Sequence, residues 1–511
     1  MRQVRQVRQQ APRALAAALL AAAVCVPAGL TVPRAQAAST GGTLVVAQST
    51  DASTLDPQKQ GKMPDMSILS NIFDTLVTRD ANNKLAPSLA TSWRALNTTT
   101  WEFKLRQGVK FQDGEPFNAT VVKFSIDRLL DPKTKSPIVE LRPVKGVKVV
   151  NASTVDFLLK APDPILPNQL TLFGGVMVPP AYIRRKGDAY FAAHPVGTGP
   201  FTFVSWQKDS QLVLAANTAY WRGAPTVRRL IFKPIPNEAD MVAALKTGDV
   251  DIAANISADA AAQLQGAQGL RVVSTPSIRI YYVVLDTTHG PLADVRVRQA
   301  LNYAVDANAM VKALLGGYGR RAAALVPRQS FGYDPSVAPY PYDPQKAKSL
   351  LAAAGYRNGF TIRLDAQSID HVAVEAIAAE LKAVGVNVQL NLMDPGTFTE
   401  KLLAKQLGAM YYIGNTGWTL DAESNFQSYL KSDRRYNRWK NTTADRLVTQ
   451  EEQSIAPRQR QQALYGLQQL LKADAPYIYL YQVGNIYGMS ARAHWTPNPI
   501  GLLQMYSATV S

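Results

Sequence analysis

The side chains that most often carry out catalysis or bind metals are sparse in this sequence of 511 residues, which has one cysteine, Cys25, and four histidines. His371 and Glu375 would share one face of a helix, but no third metal ligand lies near them in sequence, so a surface pair is the simpler reading. We find no G-x-S-x-G, H-E-x-x-H or phosphate-loop motif. The sequence therefore predicts no catalytic residue, no metal site and no cofactor. A peptide hydrolase is disfavoured because no nucleophile is arranged with a base.

One loop and a few aromatic residues could instead bind a small molecule. Asp421 offers a carboxylate that could accept hydrogen bonds from a ligand ammonium group, and Trp418 offers an apolar wall with one N–H donor. Each has a structural alternative, since Asp421 could cap a helix and Trp418 could be a core residue. Three tyrosines near this loop or in an earlier strand could line a cleft, although each could equally belong to the core: Tyr281, Tyr282 and Tyr412.

The first 37 residues have the pattern of a secretory signal peptide. Four arginines precede a long run of alanine, leucine and valine that ends at Ala35-Gln36-Ala37, an A-x-A cleavage site. We expect cleavage after Ala37 and a periplasmic protein; a retained membrane anchor is the alternative. A lipoprotein is disfavoured because Val24 stands before Cys25, where a lipobox requires a small residue.

The distribution of charge along the chain argues against a nucleic-acid partner. The formal charge of +17 falls to +12 without the first 37 residues, which contain five arginines and no acid. Lysine and arginine are scattered, and no basic cluster carries the interleaved aromatic residues of a nucleic-acid site. We expect no nucleic-acid partner, and a positive field that helps to collect anionic ligands.

A βαβ unit is the clearest structural prediction. Apolar residues alternate at 360–364 and 386–392 as in strands, and recur at helical spacing over 374–384, where Gly385 ends the helix. Such a crossover joins two parallel strands, so an α/β sheet is expected here. Helix N-caps are expected at Asn118, Asp294 and Asp343.

Two segments look like crossings between separate lobes. Residues 194–200 are rich in glycine and proline, and after Ala475-Pro476 the chain runs through a strand and returns near Asn485 to short strands and turns. A chain that leaves one lobe and comes back makes a hinge of two linkers. This arrangement suits a clamp that closes on a ligand.

Five segments in a fixed order resemble a known protein family: residues 41–130, 194–201 (HPVGTGPF), 292–306 (LADVRVRQALNYAVD), 342–356 (YDPQKAKSLLAAAGY) and 473–482 (ADAPYIYLYQ). Taken together, they resemble the extracytoplasmic solute-binding proteins of bacterial ABC importers, in the family that carries oligopeptides, dipeptides and nickel. The resemblance extends from about residue 41 to the C-terminus.

The resemblance implies an α/β fold: a two-lobed, type II-like periplasmic-binding-protein clamp with an inserted domain, its discontinuous lobes joined by two hinge crossings. Mapped onto this sequence, lobe I is 38–84, 195–277 and 486–511, the inserted domain is 85–194, and lobe II is 278–485. It also implies a monomeric, non-enzymatic receptor that captures a peptide or peptide-like solute between the lobes and delivers it to a membrane permease. The alternatives are a receptor for an opine, a glutathione-like compound or a metal chelate, and an exported chaperone.

In the peptide-binding members, an aspartate in a Gly-Trp loop pairs with the α-ammonium group of the ligand. The matching segment here contains Gly417, Trp418 and Asp421. A second Asp-Pro usually follows in those proteins, and Ala422-Glu423-Ser424 replaces it here, which leaves peptide specificity open. The ligand site expected from the resemblance and from the aromatic residues consists of Asp421, Trp418, Tyr281, Tyr282, Tyr412 and Gly417.

Overall fold

The computed structural model describes residues 42–426 and 429–511, and residues 41–511 form one compact unit. The predicted signal peptide, its cleavage site and Cys25 lie outside the described residues. In the part of the chain that is described, no helix is both long and apolar enough to cross a membrane.

The strands are numbered in chain order. They are β1 (Thr43–Gln48), β2 (Val77–Arg79), β3 (Leu85–Pro87), β4 (Ala90–Asn97), β5 (Thr100–Leu105), β6 (Val144–Asn151), β7 (Thr154–Leu159), β8 (Phe201–Gln207), β9 (Gln211–Ala216), β10 (Arg229–Pro234), β11 (Ile252–Ala254), β12 (Leu270–Leu285), β13 (Gly319–Arg321), β14 (Phe360–Gln367), β15 (Val386–Met393), β16 (Met410–Thr416), β17 (Tyr477–Ser490), β18 (Ala493–His494) and β19 (Thr509–Val510).

The α-helices are numbered in the same way. They are α1 (Met63–Leu69), α2 (Ala119–Leu130), α3 (Leu166–Gln169), α4 (Pro180–Lys186), α5 (Asp188–Phe191), α6 (Glu238–Thr247), α7 (Ala258–Leu264), α8 (Val295–Ala304), α9 (Ala307–Leu314), α10 (Pro344–Ala353), α11 (His371–Ala383), α12 (Pro395–Leu403), α13 (Glu423–Phe426), α14 (Thr442–Gln453) and α15 (Pro457–Asp474). Short 3₁₀ turns occupy Pro132–Thr134, Phe173–Gly175, Gly290–Ala293 and Ser368–Asp370.

A mixed sheet of eleven strands runs from β15 to β8 in the order β15-β14-β16-β12-β17-β11-β1-β10-β9-β8, with β13 paired to β17. The two long central strands, β12 and β17, belong to both halves of this sheet. Residues 270–276 of β12 pair with residues 484–490 of β17, residues 280–284 pair with residues 477–482, and the register shifts between these blocks. The chain therefore passes between the two halves along a pair of antiparallel strands.

This topology corrects one of the expected crossings. The return near Asn485 lies on β17, where the second crossing was expected. The segment 194–200, by contrast, leads into β8 at the edge of the sheet, and the amide of Gly199 donates to the carbonyl of Ile72 over 2.8 Å. The prediction of a hinge in this segment is wrong, because the passage to lobe II is made by β12. The lobe boundaries themselves stay a prediction, and we keep the names lobe I, inserted domain and lobe II for the ranges given above.

The locally encoded elements are confirmed. β14 and β15 are parallel neighbours joined by α11, whose stripe contains the buried Val374, Ile377 and Leu381. Gly385 follows with a φ of 96°, in the left-handed region that a glycine adopts without strain. The carboxylate or amide oxygens of all three expected N-caps accept backbone N–H bonds at the starts of α2, α8 and α10: Asn118, Asp294 and Asp343.

The inserted domain has a four-stranded sheet of its own, in the order β4-β5-β7-β6. In lobe II both faces of the sheet are covered. On one face, Val283 of β12 belongs to the same apolar cluster as Leu301 of α8. On the other face, Tyr282 of β12 belongs to the same cluster as Leu464 of α15. Strands buried on both faces leave little room for a ligand, so a site must lie in the loops at the ends of the strands.

Candidate functional site

The loop that follows β16 is a tight turn with fixed neighbours. The amide of Leu420 donates to the carbonyl of Gly417 over 2.9 Å, and Leu420 has a φ of 52°, which a non-glycine residue adopts only when its surroundings hold it there. A Cβ atom on Gly417 would lie 2.2 Å from the amide oxygen of Asn425. Asp421 then forms a parallel bridge with Phe331. Gly417 therefore serves close packing inside this loop, and we call residues 417–421 the Trp418 loop.

The Trp418 loop makes contacts outside lobe II. The ring of Trp418 packs edge-to-face on Phe173, with 5.6 Å between centroids. The carbonyl of Thr419 accepts hydrogen bonds from the Arg79 guanidinium and, over 3.1 Å, from the Asn168 side chain. Phe173 and Asn168 belong to the inserted domain, and Arg79 belongs to lobe I. The loop is therefore a point where all three predicted parts of the protein touch.

Asp421 is held by a partner that the sequence analysis did not identify. Both of its carboxylate oxygens accept hydrogen bonds from the guanidinium of Arg460, over 2.9 and 2.7 Å. The two side chains are 3% and 6% exposed, so the pair is shielded from water. Asp421 also accepts the amide of Glu423 over 3.1 Å, as a capping residue does. The structure thus gives Asp421 an internal cation where a ligand ammonium was expected.

Glu451, which is 1% exposed, completes this buried group by accepting a bond from Arg460 over 3.1 Å. The pKa of Glu451 is raised to about 8, chiefly by burial and also by the charge of Asp421, while the guanidinium of Arg460 opposes the rise. At neutral pH, Glu451 is therefore mostly a neutral acid beside the pair of Asp421 and Arg460. A ligand that offered an ammonium group to Asp421 would have to displace a bidentate guanidinium.

A cavity of about 490 Å³ adjoins this pair, and we call it the Arg79 cavity. Its walls come from lobe I and the inserted domain on one side and from lobe II on the other. They include Arg79, Lys84, Trp101, Phe331, Asp421 and Arg460. A volume of this size and a mixture of aromatic and charged walls are typical of small-molecule sites.

Two guanidinium groups in the Arg79 cavity have N–H groups to spare. The Nε atoms of Arg79 and Arg460 are buried, and neither has a hydrogen-bond partner among the described residues. The hydroxyl of Ser330, which also lines the cavity, is in the same condition. Burial lowers the pKa of Arg79 to about 10, with Asp421 opposing the change, so Arg79 stays charged at neutral pH. Unpaired buried donors are rare in folded proteins, and here they favour an anionic or hydrogen-bond-accepting ligand.

Arg79 also faces a second, polar cavity of about 270 Å³, lined mainly by lobe I and in part by Ser88, Thr171 and Leu172 of the inserted domain. Asp74 lines it and is buried, accepting hydrogen bonds from Tyr220, Trp221 and Thr198. Burial raises the pKa of Asp74, and these three bonds oppose the rise. Because the carboxylate of Asp74 is fully engaged, this cavity offers a ligand less unsatisfied polarity than the Arg79 cavity does.

The three tyrosines predicted to line a cleft do not line any of the cavities described here. Tyr412 is 1% exposed, shares a hydrogen bond of 2.7 Å with the hydroxyl of Tyr481, and stacks on Tyr281. Tyr282 is 0% exposed and packs edge-to-face on Tyr477. Neighbouring residues of a strand point to opposite faces, and helices cover both faces of β12. In this structure Tyr282 and Tyr412 are therefore core residues, and Tyr281 belongs to the same aromatic cluster.

Arg460 could have been found from its position in α15. It stands in register with Leu464, Leu467 and Leu471, all buried on one face of the helix. A charged residue in an apolar stripe predicts a buried partner, because an unpaired buried charge is costly. Arg79 is the last residue of the short strand β2 and carries no comparable signal.

Comparison with known families supports this architecture. The sequence profile of the bacterial extracellular solute-binding proteins, family 5 (middle region), matches residues 84–437, more than half of the chain. The chain belongs to this family. The family consists of solute-binding proteins that serve transport, and its periplasmic members deliver solutes to ABC importers. Within the described residues of this family 5 protein, no three histidine, aspartate or glutamate side chains are grouped as a metal site would require.

Among the relatives of this family 5 protein is the glutathione-binding protein GsiB of Escherichia coli K12, 30% identical over 457 residues, which cover 86% of this chain and 88% of GsiB. HbpA2 from Haemophilus parasuis is 25% identical with a TM-score of 0.84, covering 92% of this chain and 100% of that one. AgaA from A. tumefaciens R10, solved with agropinic acid, is 27% identical with a TM-score of 0.73, covering 92% and 99%. The fold is the two-lobed clamp of periplasmic binding proteins.

Proposed function

We propose that this protein is the periplasmic receptor of an ABC importer, and that it binds a small peptide-like solute with at least one carboxylate in the Arg79 cavity. The solute is held between the two lobes and then passed to the permease in the inner membrane. The protein acts as a monomer and catalyses no reaction.

The observation that carries this proposal is the pair of guanidinium groups, one from each lobe, in the lining of the Arg79 cavity. Arg79 comes from lobe I and Arg460 from lobe II, and each has a buried Nε–H without a partner among the described residues. A carboxylate accepts hydrogen bonds from guanidinium groups with good geometry. A ligand carboxylate placed between them would satisfy donors from both lobes, so it would stabilise the closed arrangement.

The named ligands of two relatives fit this chemistry. Glutathione is a tripeptide-like molecule with two carboxylates and one ammonium group, and agropinic acid is, by name, an acid. The positive net charge of the chain would also help to collect anionic solutes. These points favour a small anionic solute, peptide-like or opine-like, and give less support to an exported chaperone.

The direct test is calorimetric titration with glutathione, a dipeptide, a tripeptide and an opine, each beside a derivative in which the carboxylates are converted to amides. We expect an acid to bind at least tenfold more tightly than its amide, and Arg79→Gln to remove most of that preference. Arg94→Gln, an exposed arginine on β4 paired with Glu102, is the matched control and should change nothing.

Native mass spectrometry of protein purified from its own host adds a test that needs no choice of ligand. We expect a co-purified adduct whose mass fits an acidic small molecule. An adduct without an acidic group, or equal affinity for acids and amides, would contradict the proposal. The intact mass in the same experiment also reports whether the mature chain begins at Ala38 without a lipid, as the export signal predicts.

A further inference from the structure

A third cavity, of about 270 Å³, lies between the inserted domain and lobe II, and we call it the Asp163 cavity. Asp163 and Gln169 line it from the inserted domain, and Glu423, Arg434 and Glu452 line it from lobe II. Pro164 lines both this cavity and the Arg79 cavity, so the two adjoin. The function proposed above does not use this space.

Three oxygen acceptors in the Asp163 cavity lack a hydrogen-bond donor among the described residues. They are Oδ2 of Asp163, Oε1 of Gln169 and Oε2 of Glu423, on side chains from residues that are 6%, 5% and 6% exposed. The other oxygen of Asp163 is satisfied by the amide of Ile165 over 3.1 Å. Since buried polar atoms are nearly always paired, three such acceptors around one cavity point to donors that the chain itself does not supply.

Among the described residues, no cation forms an ion pair with these acids. Arg434 in the cavity wall donates to Glu452 over 2.5 Å, and its buried Nε has no hydrogen-bond partner there, but it is not paired with Asp163 or Glu423. Arg460 is close enough to act electrostatically on Asp163 and Glu423, but its hydrogen bonds go to the pair described above, Asp421 and Glu451. The cavity therefore has room for one more positive group.

We propose that the Asp163 cavity binds a primary ammonium group of the imported solute, with its three N–H donors directed to Asp163, Gln169 and Glu423. This inference rests on the proposed function, because it assigns the second charged end of the same solute. It moves the ammonium site from Asp421, whose oxygens Arg460 occupies, to Glu423 two residues later. A solute with a carboxylate in the Arg79 cavity and an ammonium in the Asp163 cavity would contact all three parts of the protein.

The raised pKa values of Asp163 and Glu423 give this binding a pH dependence. Burial raises the pKa of Asp163 to about 6, and burial raises the pKa of Glu423 well above its ordinary value, with the charges of Glu451, Asp163 and Asp421 adding to the rise. A protonated acid does not attract an ammonium group, so binding must release protons. The affinity for the ammonium group should therefore increase as the pH rises above about 6.

The first test uses methylammonium as the probe and tetramethylammonium, which has no N–H donor, as its control. In thermal melts of the mature chain at pH 8, millimolar methylammonium should raise Tm by about 1 °C more than tetramethylammonium does. Glu423→Gln and Asp163→Asn should each abolish the difference, while Glu375→Gln, at an exposed acid of α11 outside the cavity, should keep it. Equal effects of the two ions, or a normal response in both variants, would overturn the inference.

The melting temperature of ligand-free Glu423→Gln separates a ligand-binding role of Glu423 from a structural role. Glu423→Gln replaces a buried acid whose ionised form is disfavoured and has no cation in contact among the described residues, so the ligand-free variant should melt at the same or a higher temperature than the wild type. Stability lost at this position, together with an unchanged methylammonium response, would make Glu423 a structural residue.

The final arm compares glutathione with N-acetylglutathione, together with any co-purified solute and its N-acetyl derivative. Acetylation should weaken binding about tenfold or more in the wild type and little in Glu423→Gln. If acids bind and Arg79→Gln matters, but acetylation has no effect, this inference fails while the proposed function stands. If amides bind as well as acids, the proposed function fails first.

Discussion

Replacing Asp421 by asparagine removes one negative charge from a buried pair without changing the shape of the side chain. In the wild type, two hydrogen bonds of 2.9 and 2.7 Å join this carboxylate to Arg460. Removing one partner of such a pair leaves an uncompensated charge and typically costs about 3–5 kcal/mol. Glu451 touches the same guanidinium and can ionise in compensation, because the charge of Asp421 is one of the causes that raise its pKa. We therefore expect Asp421→Asn to lower the free energy of unfolding by about 2–4 kcal/mol at pH 6.

The assay is urea unfolding of the ligand-free protein at two pH values, with calorimetric titration of the solute beside it. The loss should be smaller at pH 8.5 than at pH 6, because Glu451 supplies a replacement charge only when it is ionised. The double variant Asp421→Asn/Arg460→Met removes the stranded cation and should recover part of the stability, which a double-mutant cycle measures as coupling between the two residues. Solute affinity should change little beyond what the loss of folded protein explains.

The opposite result would refute this reasoning. If Asp421→Asn unfolds like the wild type while solute affinity falls ten- to a hundredfold, the carboxylate is released from Arg460 in the functional state. Asp421 would then bind a ligand ammonium group, as the family resemblance implies.

Three further outcomes are expected. The free energy of unfolding should fall as the pH rises from about 5 to 8, because burial raises the folded-state pKa of Glu451 to about 8 and the folded protein holds this proton more tightly. The fall should be at most about 1.4 kcal/mol per pH unit for each proton. Urea unfolding of Glu451→Gln should show a flatter dependence on pH. Gly417→Ala would place a Cβ atom 2.2 Å from the buried amide oxygen of Asn425, so thermal melts should show a loss of about 1–3 kcal/mol, and an unchanged melt would disprove the close packing. Solution scattering should report a smaller radius of gyration when the solute binds, since the lobes close upon it; binding without compaction would contradict a clamp.

The parts of the fold that the sequence predicts are those whose signals are local. The parallel pair β14 and β15 follows from an alternating pattern, a helical stripe and Gly385, all within about thirty residues. The N-cap at Asn118 needs only the residue and the two amides that follow it. The hinge was placed wrongly because glycine and proline at 194–200 were taken for a linker, whereas those glycines allow close packing on the backbone of Ile72.

The candidate site was less predictable because its contacts join distant residues. Asp421 and Arg460 are 39 positions apart, and each has a common surface or capping alternative when taken alone. Tyr282 and Tyr412 were expected at a cleft because aromatic residues often line one, but their strands are covered on both faces. Which face of a strand is open depends on tertiary packing, and the alternation of residues along the strand does not contain that information.

The replacement of the usual second Asp-Pro by Ala422-Glu423-Ser424 now has a physical consequence. Once Arg460 neutralises Asp421, a free carboxylate must come from elsewhere if the solute has a positive end. Glu423, two residues later, has no cation in contact among the described residues. Asp163 faces it from the inserted domain, so an ammonium group there would join two parts of the protein that carry like charge and otherwise repel. The lobes would close on this site only when a cation is bound between the two acids. Because Asp421 is already paired with Arg460, closure at Asp421 would not require a ligand cation. Discrimination against solutes without an amino group would then arise from the unpaired acids, and it would be lost in Glu423→Gln even if overall affinity for acids remained.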